Sequence, residues 1–408
     1  MDGRRKICRE RKIATAVFTS YILCKNVRCR RRVATAGSGE PLGRDTSSCL
    51  QMQKINRGLP RACRGRGGTI MTIALNARRF AGAWLMGCAT LGVAGVGLTG
   101  AASAETTIKM AMSSVADLEN DNGMTAWVMQ NYVNSHSDDL NFEVYGSSAL
   151  GGDQDVLQAM QLGSGATMHV GGTAVYNSFV PAGGVLDLPF LWQDFDHVGR
   201  ALDGDLGGKL DAKFEQSGFK VLGWGYSWGY RNVVTSGKAI ENPEDLKGLK
   251  IRTIQSPVYV AALNAMGANA TPMAFGEVYT ALQTGVLDGF EHAASMVYSS
   301  KLYEVSDHVA LTRHLFGPTV ITYSLPLWNK LSEKDQQVLE DAAALAIEIN
   351  RALAPIREQK ALAQLEEVGM TITQVDTTQF SQDAVPLQDE LADELGAADL
   401  LQLIRDAQ

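Results

Sequence analysis

The stretch Ile240–Gly289 reads IENPEDLKGLKIRTIQSPVYVAALNAMGANATPMAFGEVYTALQTGVLDG, and its local chemistry decides the fold. Asn242 is a helix N-cap, Pro243 suits the first helical position, and Glu244 and Asp245 favour the positive helix end. Gly248 can stop the turn in a left-handed conformation. Leu249-Lys250-Ile251-Arg252 then alternates as a strand. A helix is expected from Pro257 to Met266 and a second over Phe275–Thr284, stopped by Gly285. Val286–Gly289 is the next short strand or turn.

Outward from there the same alternation recurs. Thr107–Met112, Asn141–Tyr145, Met168–Val170 and Lys220–Trp224 read as strands. Gly123–Asn134, Asp153–Leu162 and Phe195–Phe214 read as helices. This β-α-β order predicts an α/β fold with a mostly parallel sheet. Farther on, Ser332 and Asp335 start a long helix that Pro355 should kink and Gly369 should end. Met370–Val375 is a late strand, and Phe380–Asp406 a polar-faced helix.

The 408 residues carry 37 Lys+Arg, 44 Asp+Glu and six cysteines, but these are unevenly placed. Residues 1–70 hold 17 basic and 4 acidic groups (+13), residues 71–104 hold Arg78 and Arg79 alone (+2), and residues 105–408 hold the remaining 18 and 40 (−22). Every cysteine precedes residue 105. Met71 opens a segment with Arg78-Arg79, an apolar run from Phe80 to about Leu98, and the small-residue end Ala102-Ser103-Ala104. That is the order of a secretory signal peptide cut after Ala104. A signal peptide acts near an N-terminus, so translation is expected to start at Met71, with residues 1–70 an upstream extension. Export implies the periplasm.

Beyond residue 104 the absence of cysteine excludes thiol catalysis and thiolate metal sites. There is no Walker phosphate loop and no H-E-x-x-H. The six histidines lack metal-ligand spacing. Seven arginines remain, and two stand out. Arg252 ends a strand, where α/β sheets bind ligands, and a guanidinium there offers a planar fork for a carboxylate. Arg231 ends another apolar-aromatic strand in the same way. Each can alternatively form a surface ion pair with one of the many acids. Trp224, Tyr226, Trp228 and Tyr230 alternate with Gly225, Ser227 and Gly229. Period two puts the aromatics on one strand face, with glycine allowing close approach behind. They form either an apolar wall beside a ligand or core packing.

Together these residues resemble a family. LKGLKIR, GANATPMAFGEVYTALQTGVLDG and KLYEV are similar to the signature of the solute-binding proteins of tripartite ATP-independent periplasmic (TRAP) transporters, dicarboxylate-binding type. GSSALGGDQDVLQAMQLGSG resembles a further family segment upstream. The likeness covers about 107 to 400. It implies two α/β domains of the periplasmic-binding-protein type, joined by a hinge and a long domain-spanning helix. Domain I would take about 105–229 and 320–350, domain II about 230–319 and 351–375, and C-terminal helices 376–408.

The resemblance also implies roles. Arg252 would hold the ligand carboxylate bidentately, with Arg231 the second arginine. Gln255 would add a polar contact, and Phe275 would lie beside the cleft. Glu291 and His292 match a ligand-contacting pair, commonly Glu-Asn or Glu-Trp, from which His292 departs. Glu291 could accept hydroxyls or join a metal site. The loop Ser113–Asn120 and Gly171–Thr173 would line the opposite wall, placing Asn120 and Thr173 in the site. No cofactor, catalytic residue or nucleic-acid partner is implied. The ligand would be a C4-dicarboxylate, a sugar acid or a 2-keto acid, handed to the small and large membrane subunits of the permease, with the Pro355 helix as a hinge element. A ligand-sensing subunit of a signalling receptor and a periplasmic enzyme acting on an organic acid are the alternatives. N-terminal sequencing of the native protein should begin at Glu105; a mature form retaining any of residues 1–70 would overturn the processing scheme.

Overall fold

The computed structural model describes Glu105–Tyr226 and Gly229–Gln408. The segment expected to be a signal peptide, its expected cleavage point at Ala104, the expected upstream extension and Trp228 all lie outside the described residues. In chain order the elements are β1 Thr106–Ala111, α1 Asp121–His136, β2 Leu140–Tyr145, α2 Asp153–Gln161, β3 Met168–Gly172, α3 Phe195–Leu202, α4 Asp205–Gln216 and β4 Phe219–Gly225. They continue with β5 Arg231–Thr235, β6 Lys250–Thr253, α5 Pro257–Ala265, β7 Asn269–Pro272, α6 Val278–Gln283, β8 Gly289–Ala293 and α7 Ala294–Ser299. Then follow β9 His308–Leu315, β10 Thr319–Ser324, the one-turn α8 Leu325–Trp328, α9 Glu333–Glu367, β11 Thr371–Gln374, α10 Thr378–Glu394 and α11 Ala398–Asp406.

The strands form two sheets, ordered β2-β1-β3-β10-β4 and β11-β9-β5-β8-β6-β7. Each is the core of one α/β lobe. Both are mixed, not mostly parallel as the element order suggests. β10 runs antiparallel to β3 and β4, and β5 antiparallel to β8 and β9. The reason is β10 in the first sheet and β5 in the second, each running against every other strand of its sheet, and neither has a counterpart in the sequence reading. β10 is buried at every position, so it lacks the alternation that marks a half-exposed strand. The chain crosses from the first sheet to the second between β4 and β5, and returns between β9 and β10.

Left-handed glycines end segments where the sequence places them: Gly248 (φ 76°), Gly285 (φ 71°) and Gly369 (φ 98°). Three expectations shift. Phe195–Phe214 is two helices, because the chain turns at Asp203-Gly204 so tightly that a Cβ on Gly207 would lie 2.1 Å from the Leu202 carbonyl oxygen. Phe380–Asp406 is likewise split, by Gly396 at φ 61°. The strand expected at Val286–Gly289 instead begins at Gly289 and carries Glu291 and His292. Pro355 sits within α9, which runs unbroken for 35 residues.

The aromatic alternation is also reassigned. Trp224 belongs to β4 and Tyr230 precedes β5, so the four aromatics do not share one strand. Trp224 and Tyr230 are core residues; the indole N–H donates to Asp211 (2.9 Å) and the phenol to the Trp192 carbonyl (3.1 Å). Close approach behind the glycines does occur, and what approaches is α9. Ile347 packs over Gly223, Asn350 over Gly225 and Glu358 over Gly229, which also needs its φ of 99°. The Asn350 carbonyl oxygen accepts the Tyr226 N–H at 2.9 Å. The long helix is thereby registered on the first crossing segment. A methyl group at Gly225 would meet Asn350 Oδ1 at 2.6 Å. Gly225→Ala should therefore destabilise the fold by about 1–3 kcal/mol in urea unfolding; an unchanged midpoint would mean that the helix does not depend on this contact.

Candidate functional site

A cavity of about 270 Å³ opens between the sheets. That is near the lower end of the roughly 300–1,000 Å³ typical of small-molecule sites. Its walls come from the ends of strands in both lobes. Ser113 follows β1, Gly171 and Gly172 close β3, and the α2 start adds Gly152–Asp155. The second lobe supplies Arg231, Arg252, Gln255, Tyr259, the Met273–Gly276 turn, His292 and Met296.

Arg252 lies near the carboxyl end of β6, beside β7 and β8, which run parallel to it. Its side chain is buried. Nε and Nη2 donate to the Met273 carbonyl at 3.0 and 2.6 Å. The guanidinium also lies 5.8 Å from the Phe275 ring centroid. Nη1 is buried and has no acceptor among the described residues. Burial lowers the Arg252 pKa to about 10, so the group stays cationic at neutral pH. A buried guanidinium nitrogen without a partner is costly unless an anion meets it.

Arg231 reaches the same edge by the opposite route. It opens β5 and does not end a strand. Because β5 is antiparallel to β8, its first residue pairs with Ala293, the last of β8. Nη2 donates to Glu291 Oε1 (2.9 Å) and to the Glu291 carbonyl (3.1 Å), and Nε donates to Oε2. Thr253 donates to the same carboxylate at 2.9 Å. Burial works against the Arg231 charge, but Glu291 together with Tyr259 and Asp187 more than offsets it and keeps the pKa above its ordinary value. His314 Nε2 lies 4.0 Å from Glu291 Oε2, and burial brings its imidazole down to about 4, leaving it neutral.

This geometry corrects the role expected of Glu291. The side chain is fully buried, engaged by Arg231 and Thr253, and does not line the cavity. Its oxygens accept from Arg231 and Thr253. Among the described residues no cluster of three or more His, Cys, Asp or Glu is placed to hold a metal.

Gln255, Phe275 and His292 do line the cavity. The His292 ring meets Phe275 edge to face at 5.6 Å, and Nδ1 accepts the Ala293 N–H at 2.9 Å. Burial, reinforced by Arg231 and Arg252, holds its pKa well below the usual imidazole range. A neutral ring with Nδ1 as acceptor carries its proton on Nε2. Thr173 and Asn120 do not line the cavity. Thr173 donates to Asp187 (2.8 Å), a buried carboxyl whose pKa burial raises to about 7. Asn120 caps α1. Met273, Tyr259 and Met296 are wall residues that the pattern missed. The only signal for them was their nearness to Arg252 or His292 in sequence.

The model of bacterial extracellular solute-binding protein family 7 matches residues 113–395. The chain belongs to that family, the DctP-type binding proteins of TRAP transporters. The Escherichia coli K12 2,3-diketo-L-gulonate-binding periplasmic protein YiaO is 36% identical over 244 residues, 60% of this chain and 74% of its own length. A TRAP periplasmic binding protein from Bordetella, solved with density assigned to pantoate, superposes with a TM-score of 0.70 at 32% identity and covers 74% of this chain and all of the other. One from Polaromonas, bound to D-erythronate, has a TM-score of 0.70 at 31% identity, covering 74% and 98%. The two-lobed fold is thus that of the family. Within it, Glu291→Gln would leave Arg231 buried with half its partner. Breaking such a pair should cost about 3–5 kcal/mol in urea unfolding; a loss below about 1 kcal/mol would show that Arg231 does not depend on Glu291.

Proposed function

We propose that this chain is the periplasmic binding subunit of a TRAP transporter and captures one small organic acid by its carboxylate. The observation that carries this is Arg252, a cationic side chain that lines the cavity and whose buried Nη1 has no acceptor among the described residues. With Nε and Nη2 anchored on Met273, the guanidinium is pre-oriented, so little entropy is lost when a carboxylate meets its Nη1/Nη2 end. Arg231, already matched by Glu291, adds donors and field but no second full charge. Neutral His292 and Gln255 supply hydrogen bonds suited to a hydroxyl or carbonyl. This balance favours a hydroxylated monoacid over a C4-dicarboxylate, and the pantoate and D-erythronate of the two solved relatives support the same class.

The two lobes would close on the acid, exclude water and strengthen the ion pair. Export by the Met71–Ala104 segment would place the protein in the periplasm, where it would dock on the small and large permease subunits. Catalysis is not part of this reading, since the family consists of binding proteins. The segment Gly225–Gly229 does have G-x-S-x-G spacing, but a nucleophile elbow needs a strand-to-helix turn. The described elements on either side of it, β4 and β5, are both strands, of different sheets.

A thermal-shift screen of aldonates, uronates, C4-dicarboxylates and 2-keto acids should raise the melting temperature with a hydroxylated monoacid. In calorimetry Arg252→Ala should weaken that acid about a hundredfold or more, because a buried carboxylate loses its charge partner. Arg252→Lys should recover only part, lacking the second donor that reaches Met273. Unchanged affinity in Arg252→Ala would sink the assignment.

A further inference from the structure

Asn120 does not touch the cavity, yet its side chain bridges the lobes. Its carbonyl oxygen caps α1 of the first lobe, accepting the Asn122 and Gly123 amides at 3.0 and 3.2 Å. Its amide nitrogen donates to Ser299 Oγ at 3.2 Å, on α7 of the second lobe. The next residue repeats the pattern. Asp121, fully buried, accepts Ser295 of α7 at 3.4 Å and Arg357 of α9 at 3.2 Å. Arg357 also donates to the Leu118 and Glu119 carbonyls at 2.7 and 3.2 Å, and Lys360 pairs with Glu119 at 3.0 Å.

α7 follows directly on Glu291-His292, and its Met296 lines the cavity while contacting the Asn120 amide at 3.5 Å. One six-residue helix therefore touches the ligand cavity and the opposite lobe. We infer that Asn120 and Asp121, with Ser295 and Ser299, form an interlobe latch: Asn120 is a positioning residue that keeps the cleft shut and slows ligand escape without contacting the ligand. Parting the lobes must break these hydrogen bonds and carry the buried Asp121 carboxylate towards water. Those bonds break whether a ligand enters or leaves, so the latch slows both steps.

The inference rests on the cavity being the ligand site, but its first test needs no ligand. Ser299→Ala, in the second lobe, should speed amide hydrogen exchange across residues 113–124 of the first lobe, and Ser299→Thr should restore it. Asn120→Ser keeps a capping oxygen but is too short to span the gap, so it should act like Ser299→Ala. With D-erythronate as the probe in stopped-flow measurements, each variant should dissociate about fivefold faster, with association faster as well. The double variant should be no faster than either single one, because both remove the same bond. Unaltered exchange together with unaltered dissociation would overturn the latch, as would multiplicative effects in the double variant. Altered exchange in a protein that does not bind D-erythronate would keep the latch and discard that acid as the ligand.

Discussion

Two guanidinium groups are buried side by side at one sheet edge, and the second lobe is arranged around keeping them there. Burying a charge costs several kcal/mol unless it is paired and hydrogen-bonded. Arg231 meets this with Glu291, which Thr253 fixes in turn. Arg252 is held by a backbone carbonyl, a dipole that orients the group without cancelling its charge. The difference between these two anchors leaves Arg252 as the cavity-lining arginine without a carboxylate partner. Had both arginines been given carboxylates, the cleft would be electrically quiet. Had neither, the lobe would carry two like charges in its interior.

The same edge explains why the sheet is mixed. Arg252 and His292 point from strands that run toward the cleft, while Arg231 belongs to a strand that runs away from it. Only the antiparallel entry of β5 from the other lobe brings Arg231 to the mouth at its first residue. The crossing that makes this possible needs a helix laid close against it. Gly223, Gly225 and Gly229 provide the room, and Ile347, Asn350 and Glu358 fill it. Charge placement and interlobe connection are thus linked through a few residues of chain between β4 and β5.

Much of this was legible in residue order. Caps and left-handed glycines are local, so Asn242, Gly248, Gly285 and Gly369 marked their boundaries correctly. The resemblance singled out Arg252, Gln255, Phe275 and His292, and all four line the cavity. Illegible elements were those whose signal is not local. β10 is buried throughout and shows no alternation, and the turn at Asp203-Gly204 hides within a continuous helical pattern. Glu291 was assigned to the ligand because the resemblance matches Glu291-His292 to a ligand-contacting pair. In a strand, adjacent residues face opposite ways, and Glu291 faces inward to Arg231.

The sequence by itself determined the α/β class, the acidic cysteine-free body behind an export-like segment, and the arginine suited to a carboxylate, because these follow from composition, short-range backbone preference and motif. Tertiary structure alone decided which arginine is matched by a carboxylate, which acid matches it, and that Asn120 reaches the opposite lobe. Those outcomes depend on contacts between residues 60 to 179 positions apart, whose pairing is set by how the sheets assemble and not by any neighbouring residue.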